Sequence, residues 1–325
     1  MRWFLHGLNK ELKTTNKRNM KKNNNYISSL SKSVLIMLMF ILTYTGSVLA
    51  QTNDAPAAKV TTPIKNTFGS TLMIDNQTVM VPVKGTLEAD IQHRFGLMNK
   101  NNQKDLWGLY APSNIRLGIS YVIMKDLAIG YGITKDKMLM DVSAKYAILK
   151  QGKEGGMPVS VTFFGNVAVD TRDAAQNNVR YEQDRYSYFS QLMVARKVTD
   201  KLSLQVSGNF SWLNSVEGYV DNATGEIKQK MYNYHASFSC LGRYKISEKS
   251  AIIVGYDQPI TAHTASNPYP NVSFGFETTT SAHAFQIFAT TCNNITPQYS
   301  NMYNQNDFSR GYFLIGFNIT RLWNL

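Results

Sequence analysis

The sequence has no apolar run long enough to cross a bilayer as a helix. Val34 to Leu42 is its clearest such stretch, and a spanning helix needs about 18 or more residues. Cysteine is nearly absent: Cys240 lies in an apolar-alternating stretch and Cys292 in a linking segment, and with only these two the chain is not a disulfide scaffold. Phosphate-cradling and dinucleotide-binding glycine motifs are missing. His93 and His283 have no Cys or carboxylate neighbours at metal-ligand spacing, so no metal or other cofactor is expected. The basic excess is also thinner than the whole-chain figure. Residues 1–50 hold eight Lys or Arg and one Glu out of 34 and 22 in the chain, leaving +5 rather than +12 on the remainder. Nucleic acid is therefore not an expected partner, because the excess belongs to the N-terminal segment and not to a folded face.

What that segment does hold is the pattern of an export signal. Lys17, Arg18, Lys21, Lys22 and Lys32 precede the apolar run, and Val48-Leu49-Ala50 offers cleavage between Ala50 and Gln51. No cysteine stands at the junction, which argues against a lipid anchor. Met20 followed by Lys21-Lys22 reads as an ordinary leader start, making residues 1–19 a candidate mis-assigned extension. The expected organisation is a signal peptide over 1–50, a Pro/Ala/Thr-rich spacer and small periplasmic hairpin over 51–83, and one β-domain over 84–325.

From Lys84 onward apolar residues alternate with small or polar ones, the period that sends successive side chains to opposite faces of a strand. Leu202, Leu204, Val206, Phe210 and Trp212 share one face, with Ser203, Gln205, Ser207, Asn209 and Ser211 on the other. Residues 114–124 and 231–246 repeat the pattern. Strands are expected at 85–96, 114–124, 127–134, 137–150, 158–169, 186–198, 201–215, 231–246, 250–257, 272–277, 281–291 and 310–323. Because three of them are short for spanning strands, ten remains an alternative to twelve. The links alternate between tight turns, such as Lys125-Asp126 and Thr199-Asp200, and long Asn-rich segments, as they do between the two sides of an outer-membrane barrel.

Alternation also fits a soluble barrel or sandwich with the apolar face inside. Size favours the opposite arrangement, because about twelve strands enclose more room than one layer of apolar side chains fills. Tyr121, Tyr188, Trp212, Tyr232, Tyr256 and Trp323 also fall toward strand ends, where interfacial girdles sit. The expected fold is thus an all-β, closed antiparallel transmembrane barrel in the outer membrane, with its apolar face in lipid. The final strand carries Phe313, Ile315, Phe317 and Ile319 in phase with Trp323 and the terminal Leu325. It resembles the signal read by the bacterial barrel-assembly machinery, with Leu in place of the usual Phe.

The stretch Asn66-Thr67-Phe68-Gly69-Ser70-Thr71-Leu72-Met73-Ile74-Asp75-Asn76-Gln77 is followed by Lys84-Gly85-Thr86-Leu87-Glu88, His93-Arg94-Phe95-Gly96 and Asn114-Ile115-Arg116-Leu117-Gly118. Together these resemble the opening of a Bacteroidota β-barrel family of unknown function. The resemblance implies export, a membrane barrel and no established activity.

With the apolar stripe outside, the lumen is expected to carry Glu88, Asp90, Arg94, Arg116, Asp141, Lys145, Arg243 and Lys245, as an interlocked ion-pair network or as a solute-selective path. Gly130 and Gly132 are expected to leave space beside them. Residues 66–83 fit a hairpin turning at Asp75-Asn76, placed in the periplasm in preference to the lumen. An outer-membrane hydrolase is the alternative, on His235-Ala236-Ser237 with Asn209 and Asn233. A nucleophilic serine needs its histidine within hydrogen-bond reach, and the strand phase turns both toward the lumen, away from the lipid-facing rim. The expected function is a non-enzymatic narrow channel or structural membrane component with ligand-accessible outer loops. A soluble secreted binding protein is the remaining alternative.

Overall fold

The computed structural model describes residues 62–98, 105–106, 108–153, 156–173, 176 and 181–325. The expected signal peptide, with Ala50 and Gln51 at its cleavage point, lies outside these residues. The strands are β1 (Leu72–Met73), β2 (Asn76–Gln77), β3 (Thr86–Arg94), β4 (Asn114–Met124), β5 (Leu127–Thr134), β6 (Leu139–Leu149), β7 (Ser160–Asp170) and β8 (Tyr186–Lys197). They continue with β9 (Leu202–Leu213), β10 (Gly218–Val220), β11 (Ile227–Gln229), β12 (Tyr234–Lys245), β13 (Ser250–Pro259), β14 (Asn271–Thr279), β15 (His283–Thr290) and β16 (Leu314–Asn324). A short helix, α1 (Pro297–Met302), lies between the last two.

Twelve of these strands, β3 to β9 and β12 to β16, form one closed antiparallel barrel, sealed where β16 pairs with β3. Each is a segment the alternation marked out, so twelve rather than ten is the count. Closure gives every strand two neighbours and removes the open edge that hydrocarbon would leave unpaired. Two small hairpins stand apart from this ladder, β1–β2 and β10–β11.

The faces are sorted in the sense expected of a membrane barrel. Along β9, Ser203, Gln205, Ser207, Asn209 and Ser211 are buried, whereas Phe210 and Trp212 are exposed. Phe274, Phe276 and Ile287 are 55 to 60% exposed on the outer face of β14 and β15. A water-facing surface of this kind would be a large apolar patch without a partner, but in a bilayer it is the hydrocarbon contact. Val206 sits mid-strand on this face, beside Val194 and the free thiol of Cys240. Val206→Arg is expected to cost ~2–4 kcal/mol, the range for a cation at the bilayer midplane, with Val206→Leu near neutral. Urea titration of the vesicle-inserted protein measures it, and a loss under ~0.5 kcal/mol, the size of an ordinary surface change, would remove that face from lipid.

The connections alternate in length. One end of the barrel carries the tight links 125–126, 198–201, 246–249 and 280–282 together with 150–159, and is the turn end below. The other carries the long links and is the loop end, where only 135–138 is short.

Candidate functional site

The lumen is where charge accumulates, and Arg116 organises it. Its guanidinium reaches from β4 to Asp90 on β3 at 3.1 Å and to Asp141 on β6 at 2.8 Å. To arrive at Asp141 it passes over β5, where Gly132 faces it so closely that any Cβ would collide with the guanidinium; Gly118 is in the same position against Asp90. At Gly132 the expected space is thus taken up by Arg116, whereas Gly130, beside the Ser143 hydroxyl, does border a cavity of about 60 Å3. Asp141 also accepts from Asn166 Nδ2 at 2.8 Å, and Asp90 from Gln92 Nε2 at 2.7 Å. On the far wall Arg243 of β12 donates to Glu277 of β14 at 2.6 Å, and both are buried.

The remaining lumenal charges meet the N-terminal hairpin, whose position corrects the expectation that it lies in the periplasm. Residues 67–81 are inside the barrel. The chain enters from the turn end, where Ile64 N–H donates to Gln151 O at 2.7 Å, and reverses at Ile74-Asp75. The reversal falls one residue earlier than the expected Asp75-Asn76 and places Ile74 at φ 54°, a costly backbone region for a β-branched residue. Lumenal side chains hold it there: Gln286 Oε1 accepts from Ile74 N–H at 3.0 Å, and Ile74 O accepts from Asn318 Nδ2 at 2.8 Å and Arg94 Nη2 at 3.1 Å.

Asp75 is the hairpin's charged tip. It pairs with fully buried Arg94 at 2.8 Å and accepts from the Thr290 hydroxyl at 2.7 Å and Asn271 Nδ2 at 3.1 Å. Asn76 bridges Asp257 and Gln191. Lys145 donates to Thr71 O at 2.8 Å and Gln77 Oε1 at 3.0 Å, while Glu88 accepts from the Thr71 hydroxyl at 2.5 Å. Of the eight sequence-derived lumenal residues, seven therefore enter these networks. Lys245 lies half-buried at the turn end of β12, apart from them.

Sequence reasoning missed the apolar half of the lumen. Phe164, Phe189, Met193, Leu241, Ile253 and Phe288 point inward and pack on Phe68, Met73, Ile74 and Val79 of the hairpin. Each is a large apolar residue on the otherwise polar phase of its strand. That signal, together with an apolar hairpin upstream, could have placed residues 66–83 inside: a ring of inward apolar side chains needs apolar filling, and the hairpin supplies it.

The loop end is closed by the 291–313 link. Its α1 descends into the mouth, where Gln298 Nε2 donates to Asn166 Oδ1 at 2.7 Å and Thr296 meets Thr134 at 3.2 Å. Tyr299 and Met302 pack on Leu139, Leu213 and Met231. The cavity of about 60 Å3 lies between the hairpin and the wall beside Glu88, Asp90, Gln92, Arg116 and Lys145, and one of about 30 Å3 lies between the hairpin and Pro297, beside Asn76, Asn166 and Gln191. Such volumes have room for a few waters each.

The serine and histidine weighed for catalysis have other partners. The Ser237 hydroxyl donates to Asn301 Oδ1 at 2.6 Å, and His235 Nδ1 lies 3.0 Å from His263 Nε2. Tyr232 N–H donates to His263 Nδ1 at 3.0 Å, so the neutral His263 carries its proton on Nε2 and passes it toward His235. Burial holds His263, in the 260–270 link, below the usual histidine range. A second proton on His263 would set N–H against the Tyr232 N–H. The unfolded chain protonates first, near pH 6.5, so this packing contributes fully above that pH and is lost as pH falls through the lower folded value. Protection of the Tyr232 amide from hydrogen exchange, corrected for the intrinsic rate, is expected to fall from about pH 7.5 to about pH 5, spanning the free-histidine value of ~6.5. His263→Gln should flatten the profile, and an equal fall in that variant would refute the assignment.

A closed ladder with an apolar exterior and with its charged side chains gathered in the lumen defines a transmembrane β-barrel of the outer-membrane type. The chain belongs to the membrane bound beta barrel domain family DUF5777, whose model matches residues 68–323 and so takes in the hairpin as well as the barrel. Among solved structures it is similar to the NanC porin, with 11% identity, 74% of this chain and 99% of that chain covered, and a TM-score of 0.43. An outer membrane channel from Pseudomonas putida F1 shares 10% identity over 75% of this chain and 97% of its own, TM-score 0.45. LpxR from Salmonella typhimurium shares 11% over 73% and 99%, TM-score 0.33. No functionally described protein sequence matches the chain significantly.

Proposed function

We propose that the protein is a non-enzymatic outer-membrane channel, narrow and self-closed: residues 67–81 fill it from the turn end and α1 from the loop end. One observation carries this reading. The twelve-strand ladder is complete without the hairpin, which is held by side-chain hydrogen bonds, one ion pair and apolar contacts. It can therefore leave without breaking a barrel strand pair, and its departure uncovers Glu88, Asp90, Arg94, Arg116, Lys145 and Gln286. A path lined by both signs of charge suits a small polar solute. Short turns face the periplasm in such barrels, so the hairpin enters from that side, and the Trp323 to Leu325 end of β16 offers the barrel-assembly machinery its signal. Of the long links, 291–313 is spent on closure, whereas the β10–β11 hairpin projects, with Ile227 81% exposed, and is available for ligand contact. The test is conductance across planar bilayers of the protein with and without residues 66–82, heat-modifiable gel migration verifying the barrel in both. A folded, hairpin-free barrel that stays silent would refute the channel and leave a structural component.

A further inference from the structure

Charge outside the lumen is divided between the barrel's two ends. At the turn end, β3 is preceded by Lys84, the β4–β5 turn carries Lys125, and the β6–β7 link carries Lys150 and Lys153. The β8–β9 turn brings Lys197 and Lys201, the β12–β13 turn Lys249, and the outer face of β16 Arg321. Of the turn-end connections only 280–282 lacks a base. The acids there, among the described residues, are Asp126, Asp200 and Glu248. The first two are already paired, with Lys150 and Lys197. The loop end differs. Its described links carry acids in slight excess over bases, among them Glu182, Glu217, Asp221 and Asp307, which pair with Arg185, Lys230, Lys228 and Arg310.

The depth of these turn-end bases identifies what they meet. They follow directly on the apolar band, whose last outward residues include Ile123, Met124, Tyr146, Ile148, Tyr244 and Ile246, all exposed. A bilayer places its phosphates at that level. Arg321 shows the arrangement most fully: its guanidinium lies 4.8 Å above the Trp323 ring, both on the outer face of β16. The indole marks the interface, and the stacked guanidinium presents its N–H groups to a phosphate in bidentate fashion.

We propose that this basic collar selects anionic phospholipid headgroups in the leaflet beside the turns, with Arg321 and Trp323 forming one headgroup seat. The proposal is independent of whether the lumen conducts. It is tested with the full chain carrying Trp3→Phe, Trp107→Phe and Trp212→Phe, so that Trp323 alone reports, reconstituted in vesicles containing brominated phosphatidylglycerol or brominated phosphatidylcholine. At low salt the anionic lipid is expected to quench Trp323 with about fivefold greater apparent affinity, the effect of one cation near a lipid phosphate. That preference should fall toward unity in Arg321→Gln and shrink at high salt. Equal quenching by the two lipids, or a preference that Arg321→Gln leaves intact, would overturn the seat. Should Arg321→Gln fold poorly, Lys201→Gln with Lys249→Gln, on turns that do not join β16 or its neighbours, tests the collar through the composition of co-purified lipid. An unchanged phosphatidylglycerol share there would overturn the collar.

Discussion

Asp75→Ala is expected to convert a silent barrel into one that opens in bursts. In the closed arrangement Asp75 neutralises Arg94, whose side chain is fully buried, and it satisfies Thr290 and Asn271 as well. Removing one partner of a buried pair costs about 3–5 kcal/mol, because the other charge is left uncompensated. That cost falls on the closed state alone, since withdrawal of the hairpin lets Arg94 hydrate. At 1.4 kcal/mol per tenfold, the open population should rise on the order of a hundred- to a thousand-fold. Single-channel recording measures this as open probability, with Asp75→Asn, which keeps an acceptor for Thr290, falling between. An Asp75→Ala protein with the open probability of the parent would show that the hairpin is held by its apolar contacts with Phe164, Phe189 and Phe288 and not by its charged tip.

The second large effect concerns the barrel itself. Arg116→Met removes the bridge between Asp90 and Asp141 and leaves two carboxylates facing each other in a confined space, at an expected loss of about 3–5 kcal/mol. Asp90→Asn with Asp141→Asn in the same chain should recover most of it, because a neutral cluster needs no counter-charge. Urea unfolding from vesicles gives both numbers. A loss near 1 kcal/mol or less, the size of an exposed pair, would mean that the cluster is hydrated and the lumen already wide.

The strands were legible because a barrel wall has only one periodicity to satisfy. Ser203 to Trp212 declares both faces unaided, and its pairing with β8 and β12 follows from closure. Arg116, Asp90 and Asp141 were legible as lumenal residues by phase, though not as a triad. Their meeting depends on Gly118 and Gly132 yielding space, and a glycine on an inner face reads equally well as room for water. The hairpin was misplaced for a related reason. Its own alternation is weak, Pro82 argues against a central strand, and Ile74 occupies a backbone region that no local preference would assign it. What fixes it is long-range: Gln286, Asn318 and Arg94, from three strands at opposite ends of the sequence.

One of those strands has a double duty. β3 leaves the hairpin directly and is also the strand that β16 must find to seal the cylinder. The hairpin straddles that seam, since Asn318 of β16 binds both Ile74 O and the Arg94 side chain, while Ser70 meets Thr320 at 3.1 Å. A substitution at Asn318 is therefore expected to loosen two things at once, the seal between the barrel's first and last strands and the stopper inside it, since one amide fastens both.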